Sequence, residues 1–197
     1  MRLGRWNLSG SVFVDDWDPG VDEPVSLGLT ATAATSFGMG SLWFGYTMVT
    51  NLAYRTNDPA EKALTAIDTL RGRFGVGLAR NYSDYDQTTL RLTTVPTAGV
   101  ILTPELALLR QGEGDPRLPF PDREEFDQTP TLFAGVMERT WRAALLSTVH
   151  MPHGFEARLD LGVHHVQNVG NQSGLSDTRV VGTAMLRYGF WYTGRFD

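Results

Sequence analysis

From Phe155 the chain alternates with period two. Phe155, Ala157, Leu159, Leu161 and Val163 are apolar, and Glu156, Arg158, Asp160, Gly162 and His164 lie between them. Side chains alternate across a strand, so this spacing predicts one apolar face and one charged face. The split recurs near the C-terminus, with Val180, Ala184, Leu186, Tyr188, Phe190 and Tyr192 on one face and Thr183, Met185, Arg187 and Trp191 on the other. Further runs follow it: Trp6, Leu8, Val12, Val14; Val25, Leu27, Leu29, Ala31, Ala33; Leu42, Phe44, Tyr46, Met48; and Val100, Leu102, Leu106, Leu108. The chain reads as nearly all β. One segment differs. Asp58-Pro59-Ala60-Glu61 combines an N-cap, a Pro at the first helical position and a capping-box Glu. Ala60, Ala63, Leu64, Ile67 and Leu70 then follow at helical spacing, which predicts a short helix over 59–71 inside a long connection.

The connections fall into two classes. Short ones are expected at 36–39, 96–98 and 152–154, and long polar ones at 15–24, 55–87, 111–129 and 167–178. With 132–151 read as one long strand, short and long connections alternate. That yields about eight antiparallel up-and-down strands in a single domain over 1–197, with the short turns and both termini at one end. Residues 73–80 also alternate and leave room for an extra hairpin. Whether the sheet is a complete barrel or the C-terminal portion of a larger one stays open. The start Met1-Arg2-Leu3-Gly4-Arg5 has no apolar leader core, so a removed leader or a fragment is expected.

Composition decides what this pattern means. A content of 42% hydrophobic and 11% aromatic residues excludes a disordered chain. No stretch approaches the roughly 18 consecutive apolar residues of a membrane-spanning helix, a limit that does not apply to barrel strands. A soluble barrel or sandwich would bury the apolar face. Three features favour lipid: strands of about 11 residues, the length that crosses the hydrocarbon at a tilt; aromatics near strand ends (Trp6, Trp141, Phe155, Tyr188, Phe190, Tyr192); and short turns opposite long loops. No charge interrupts the apolar face at mid-strand. The expected fold is thus a transmembrane β-barrel in the bacterial outer membrane, in contact with outer-membrane lipid. The tail Tyr188, Phe190, Tyr192, Gly194, Phe196 resembles the C-terminal strand read by the barrel-insertion machinery, although it ends Phe196-Asp197.

The candidate chemistry is sparse. A net charge of −5 with Lys62 as the single lysine argues against a nucleic-acid partner. The chain has no Cys, and Gly72-Arg73-Phe74-Gly75-Val76-Gly77 has the wrong spacing for a phosphate cradle. His164 and His165 point to opposite faces of a strand, and His150 and His153 flank a turn. No catalytic centre, cofactor or metal site is expected. The charged face carries Arg91, Glu105, Arg142, Glu156, Arg158, Asp160 and Arg187. Inside a narrow barrel these must pair, because an unpaired buried charge costs several kcal/mol. In a wider barrel they would line a wet lumen. Trp17 beside Asp16, and Tyr82 and Tyr85 around Asp84, have the ring-plus-carboxylate composition of a sugar contact, which loop packing also produces.

Several segments carry a more specific likeness: Phe13-Val14-Asp15-Asp16-Trp17, Leu102-Thr103-Pro104-Glu105-Leu106 running into Arg110-Gln111-Gly112-Glu113-Gly114, Val136-Met137-Glu138-Arg139-Thr140, and Val166-Gln167-Asn168. Together they resemble the C-terminal part of the Wzi-like capsule-assembly family of outer-membrane barrels. The resemblance implies a larger, non-catalytic barrel that attaches or assembles surface polysaccharide. Two other readings stay open: a passive porin or structural barrel, and a soluble β-barrel or sandwich that binds a small molecule. A barrel-embedded hydrolase finds no nucleophile–base pair in the sequence.

Overall fold

The computed structural model describes residues 2–3, 5–16, 26–53, 55, 83–115 and 118–189. The helix expected over 59–71, the alternation at 73–80 and the aromatic run from Phe190 lie outside the described residues. The strands are β1 (Arg2–Leu3), β2 (Trp6–Asp16), β3 (Ser26–Phe37), β4 (Gly40–Val49), β5 (Tyr85–Thr97), β6 (Val100–Gln111), β7 (Glu138–Met151), β8 (Phe155–Gln167) and β9 (Ser176–Tyr188). Each pairs antiparallel with its sequence neighbours, in the order β1 to β9. Six of the eight long strands carry the alternating runs read from the sequence, and β5 and β7 fall where the spacing of the connections places the other two; β1 adds two residues against Trp6 and Asn7.

One open question is narrowed and one expectation is corrected. The sheet is open, since among the described residues no pairing joins β9 to β1 or β2. Strand β7 begins at Glu138 rather than 132. The reason is local: Phe133 and Gly135 take φ of 61° and 62°, a left-handed backbone that no strand accommodates. The long connections do share one end of the sheet. Three short turns, at 38–39, 98–99 and 152–154, share the other.

Cross-strand partners share a face, so the register carries the two faces across the sheet. Leu106, Ala143 and Val163 lie in one row, as do Leu102, Ser147 and Leu159. Glu105, Ala144 and Gly162 lie in a row of the opposite face. The exposure of the two faces is inverted relative to a water-soluble sheet. Leu106 is 60% exposed, Trp141 53%, Leu161 48% and Val180 70%, whereas Glu105 is 6% and Thr89 5% exposed. Along the first half of β7, exposure alternates residue by residue with Arg139, Trp141, Ala143 and Leu145 outward. The buried apolar cluster is small. Val49, Ala53 and Tyr85 pack with Leu109 on the polar face, at the long-loop end.

An open edge has a measurable consequence, because edge strands leave alternate N–H groups unpaired. In the folded protein, the outward amides of β9 are expected to exchange orders of magnitude faster than those of β6 and β7, which pair on both sides. Hydrogen exchange resolved by residue checks this. Uniform protection of β9 would show that its second edge is paired.

Candidate functional site

A belt of polar groups crosses the polar face from β4 to β8. It begins with Gly45, where a side chain would collide with the Trp43 indole two residues earlier. The missing Cβ lets the ring lie flat over the strand, and the Arg91 guanidinium sits 5.1 Å from the ring centroid. Arg91 Nε donates to Glu105 Oε2 at 2.5 Å, and Arg142 Nη1 donates to Glu105 Oε1 at 2.5 Å. Arg142 also reaches β8, donating through Nη2 to Asp160 Oδ1 at 2.6 Å and through Nε to His164 Nε2 at 3.0 Å. Two guanidinium groups and two carboxylates thus cancel within one continuous chain of contacts. Hydroxyl pairs extend the polar face to either side, with Ser9–Thr32 and Ser11–Thr30 at 2.6 Å and Thr93–Thr103 at 3.1 Å. Beside Trp43 lies a hollow of about 220 Å³ lined by Thr32, Thr47, Gln87, Thr89 and Arg91, among others.

Of the seven charged residues read from the sequence, Arg91, Glu105, Arg142 and Asp160 are joined directly. Glu156 and Arg158 form a separate ion pair at 2.7 Å near the short turns, with His150 Nδ1 3.3 Å from the same carboxylate. Arg187 lies opposite Glu156 in the β8–β9 register, with no ion pair to it among the described residues. Trp43, Gly45 and His164 are the members that a reading for charges passes over. Their signal was present in the alternation, which puts an aromatic and a glycine on the polar side of β4, two residues apart.

A second construction stands at the long-loop end, around Asp84. Its φ of 59° turns the carboxylate under the loops, where it is fully buried. Oδ2 accepts from the backbone N–H of Gly114 and of Ala134, each at 2.9 Å, and Oδ1 accepts from the N–H of Phe133. Side chains at Gly112 or Gly114 would overlap this carboxylate. Asn51 ties the same region together by donating its N–H to Thr131 O at 2.9 Å and its amide Nδ2 to Pro130 O at 3.1 Å. Arg55 Nη2 donates to Asn51 Oδ1 at 2.7 Å. Asn171 Nδ2 brings in the last connection, donating to Val136 O at 2.6 Å and Gln111 O at 3.2 Å. Burial pushes the Asp84 carboxyl above its usual range, against the pull of the three N–H groups and of Arg55. The same desolvation lowers the Arg55 guanidinium, opposed by Asp115 and Asp84.

This placement corrects part of the sugar-contact expectation. Asp84 is 0% and Tyr85 1% exposed, and the Asp84 oxygens are occupied by backbone donors. Neither residue offers a surface to a polymer; both are loop packing. Trp17 and Tyr82 lie outside the described residues, and of Asp16 only the backbone, which closes β2, is described. No group of three His, Asp or Glu side chains able to hold a metal occurs among the described residues.

Comparison with protein-family models, with curated proteins and with solved structures finds no match. Function is accordingly argued from the sites themselves.

Two substitutions test how far these clusters hold the fold. Glu105→Ala takes the carboxylate from between two guanidinium groups, leaving Arg91 without it and Arg142 with Asp160 alone, and is expected to cost about 2–4 kcal/mol, a partial version of the penalty for breaking a buried pair. Adding Arg142→Met should recover part of that loss. Asp84→Ala leaves three buried N–H groups without acceptors and is expected to cost about 3 kcal/mol or more. Denaturant unfolding measures both. Losses under about 0.5 kcal/mol, the range of ordinary surface changes, would show that the clusters are not structural.

Proposed function

We propose that this chain forms the wall of an outer-membrane β-barrel, wider than its own eight long strands, that holds surface polysaccharide at its outer end without catalysis. The inverted sheet carries the membrane part of this reading. A contiguous apolar face lies open, while the charges sit on the opposite face and pair there around the nearly buried Glu105. Exposed apolar patches on soluble monomers rarely exceed a few hundred Å². Lipid is the solvent that suits such a face.

Dimensions agree with this. On the apolar face of β7, Trp141 and Met151 are ten residues apart, and the Met151 row continues into Phe155 and Tyr188, whose rings lie 4.5 Å apart. At about 3.3 Å per residue and a tilt near 40°, that span is about 25 Å, the height of a barrel's apolar band with aromatics at its limits. The polysaccharide part rests on the resemblance to capsule-assembly barrels. It is supported by the firm platform that Asp84, Asn51 and Asn171 make of the long-loop end.

The membrane reading predicts that Leu159→Arg blocks assembly into lipid while Arg158→Leu is milder. A cation at the hydrocarbon midplane costs about 2–4 kcal/mol, and only the first residue faces that way. Folding yield into vesicles is the measurement, and a protein that folds as a monomer in plain buffer would overturn the reading. The polysaccharide reading predicts that replacing Trp17 and Tyr82 together with Ala sheds polymer from cells at unchanged surface protein level. Each ring stack contributes on the order of 1 kcal/mol, multiplied by many contacts along one polymer. Unchanged retention would leave a passive barrel.

A further inference from the structure

Near the long-loop end of the apolar face, Arg110 of β6 lies directly opposite Arg139 of β7. Like charges in this position repel. Arg110 is neutralised locally. Its Nε donates to Asp86 Oδ1 at 2.9 Å, its Nη2 pairs with Asp86 Oδ2, and its guanidinium rests 4.7 Å from the Phe133 ring centroid. The Tyr46 hydroxyl donates to the same Asp86 at 3.2 Å. Among the described residues, the hydrogen bonds of Arg110 run through Nε and Nη2.

Arg139 is exposed and has no acidic partner among the described residues. The neighbouring Glu138 belongs to the other face, where it accepts from Gly170 N at 2.7 Å. Moving down the same face, the next row holds Leu108 and Trp141, and the one after it Leu106 and Ala143. From the rim inward the order is guanidinium, indole, aliphatic.

We propose that Arg139, with Arg110 beside it, binds the phosphate of a phosphorylated glycolipid in the outer leaflet. The proposal rests on the membrane reading above. A ligand suited to this surface must be anionic at one end and acyl-bearing at the other, with the two parts separated by one interfacial layer. A guanidinium fork matches phosphate oxygens in geometry as well as charge. Facing residues on paired strands are about 5 Å apart at Cα, close enough for one phosphate to span both side chains. An acidic protein segment would meet the charge but leave the aliphatic rows below it without a partner.

The test reconstitutes the full chain into phosphatidylcholine vesicles doped with diphosphoryl lipid A or with its dephosphorylated form. The protein is then extracted and the retained lipid weighed by mass spectrometry. Wild type is expected to retain the phosphorylated form about tenfold over the other, a difference of about 1.4 kcal/mol. Arg139→Gln should abolish the preference, and Arg139→Lys, which keeps the charge without the fork, should retain part of it. Heat-modifiable migration on gels confirms that each variant is folded. Equal retention of the two lipids overturns the proposal, with the membrane reading intact. Complete displacement by inorganic phosphate also overturns it, because the site would then belong to a soluble phosphate. Failure to enter vesicles of any composition overturns the membrane reading, and this site with it.

Discussion

Glu105, nearly buried at the middle of the sheet, is shared by two guanidinium groups from the strands on either side. The sidedness of the whole molecule depends on that arrangement. A charged face can turn inward only if its charges cancel there, since desolvated ions without partners cost several kcal/mol each. Arg91, Glu105, Arg142 and Asp160 satisfy this condition across four consecutive strands, which releases the opposite face to be apolar throughout. The pairing also defends the register. A slip of one residue in β6 would carry Glu105 to the apolar side and leave both arginines behind. Trp43 reinforces the same choice from β4, because its flat seat over Gly45 holds Arg91 against the ring and in line with the carboxylate.

The long-loop end solves a different problem. A single sheet has no second layer to bury against, and the apolar cluster of Val49, Ala53 and Tyr85 is too small to order four connections. Hydrogen bonds to backbone take over that role. One carboxylate at Asp84 organises the turn after β6 and the approach to β7, and one carboxamide at Asn171 joins the approach to the connection before β9. Buried acceptors of this kind hold a loop by the cost of leaving its N–H groups unsatisfied. They resist deformation without requiring the volume of a hydrophobic core.

The faces were legible because a period of two survives any strand length, as the run from Phe155 to His164 shows. The four-member charge belt was legible in part: its carboxylates and guanidiniums lie on the polar positions, although nothing local says that Arg142 would choose Asp160 over Glu156. Asp84 was misread for a physical reason. Its partners Gly114, Phe133 and Ala134 lie 30 to 50 residues away and contribute only backbone N–H groups, which leave no mark on composition. An acid between two tyrosines looks the same whether the rings face water or pack beneath loops. The start of β7 was placed too early for the same reason, since Phe133 and Gly135 leave the strand conformation to bring N–H groups to that carboxylate. Asp86 and Arg110 also escaped notice, because the apolar face is free of charge only at mid-strand and these two close its last rows.

The open edges constrain what surrounds the sheet in the proposed reading. Lipid offers no hydrogen bonds, so each unpaired N–H or C=O on β2 or β9 would cost several kcal/mol there. Strand β2 runs from the short-turn end toward the long loops, and β9 runs back, so the two edges are antiparallel. An up-and-down sheet with such edges closes directly or after an even number of added strands. Strand β1 distinguishes these cases. It already lies against the outer edge of β2, with Arg2 opposite Asn7 and Leu3 opposite Trp6, through a tight reversal at the same end as the other short turns. That is the place and direction of the next strand in a wider sheet. A β9 pairing with β2 along its whole length would have to displace those two residues.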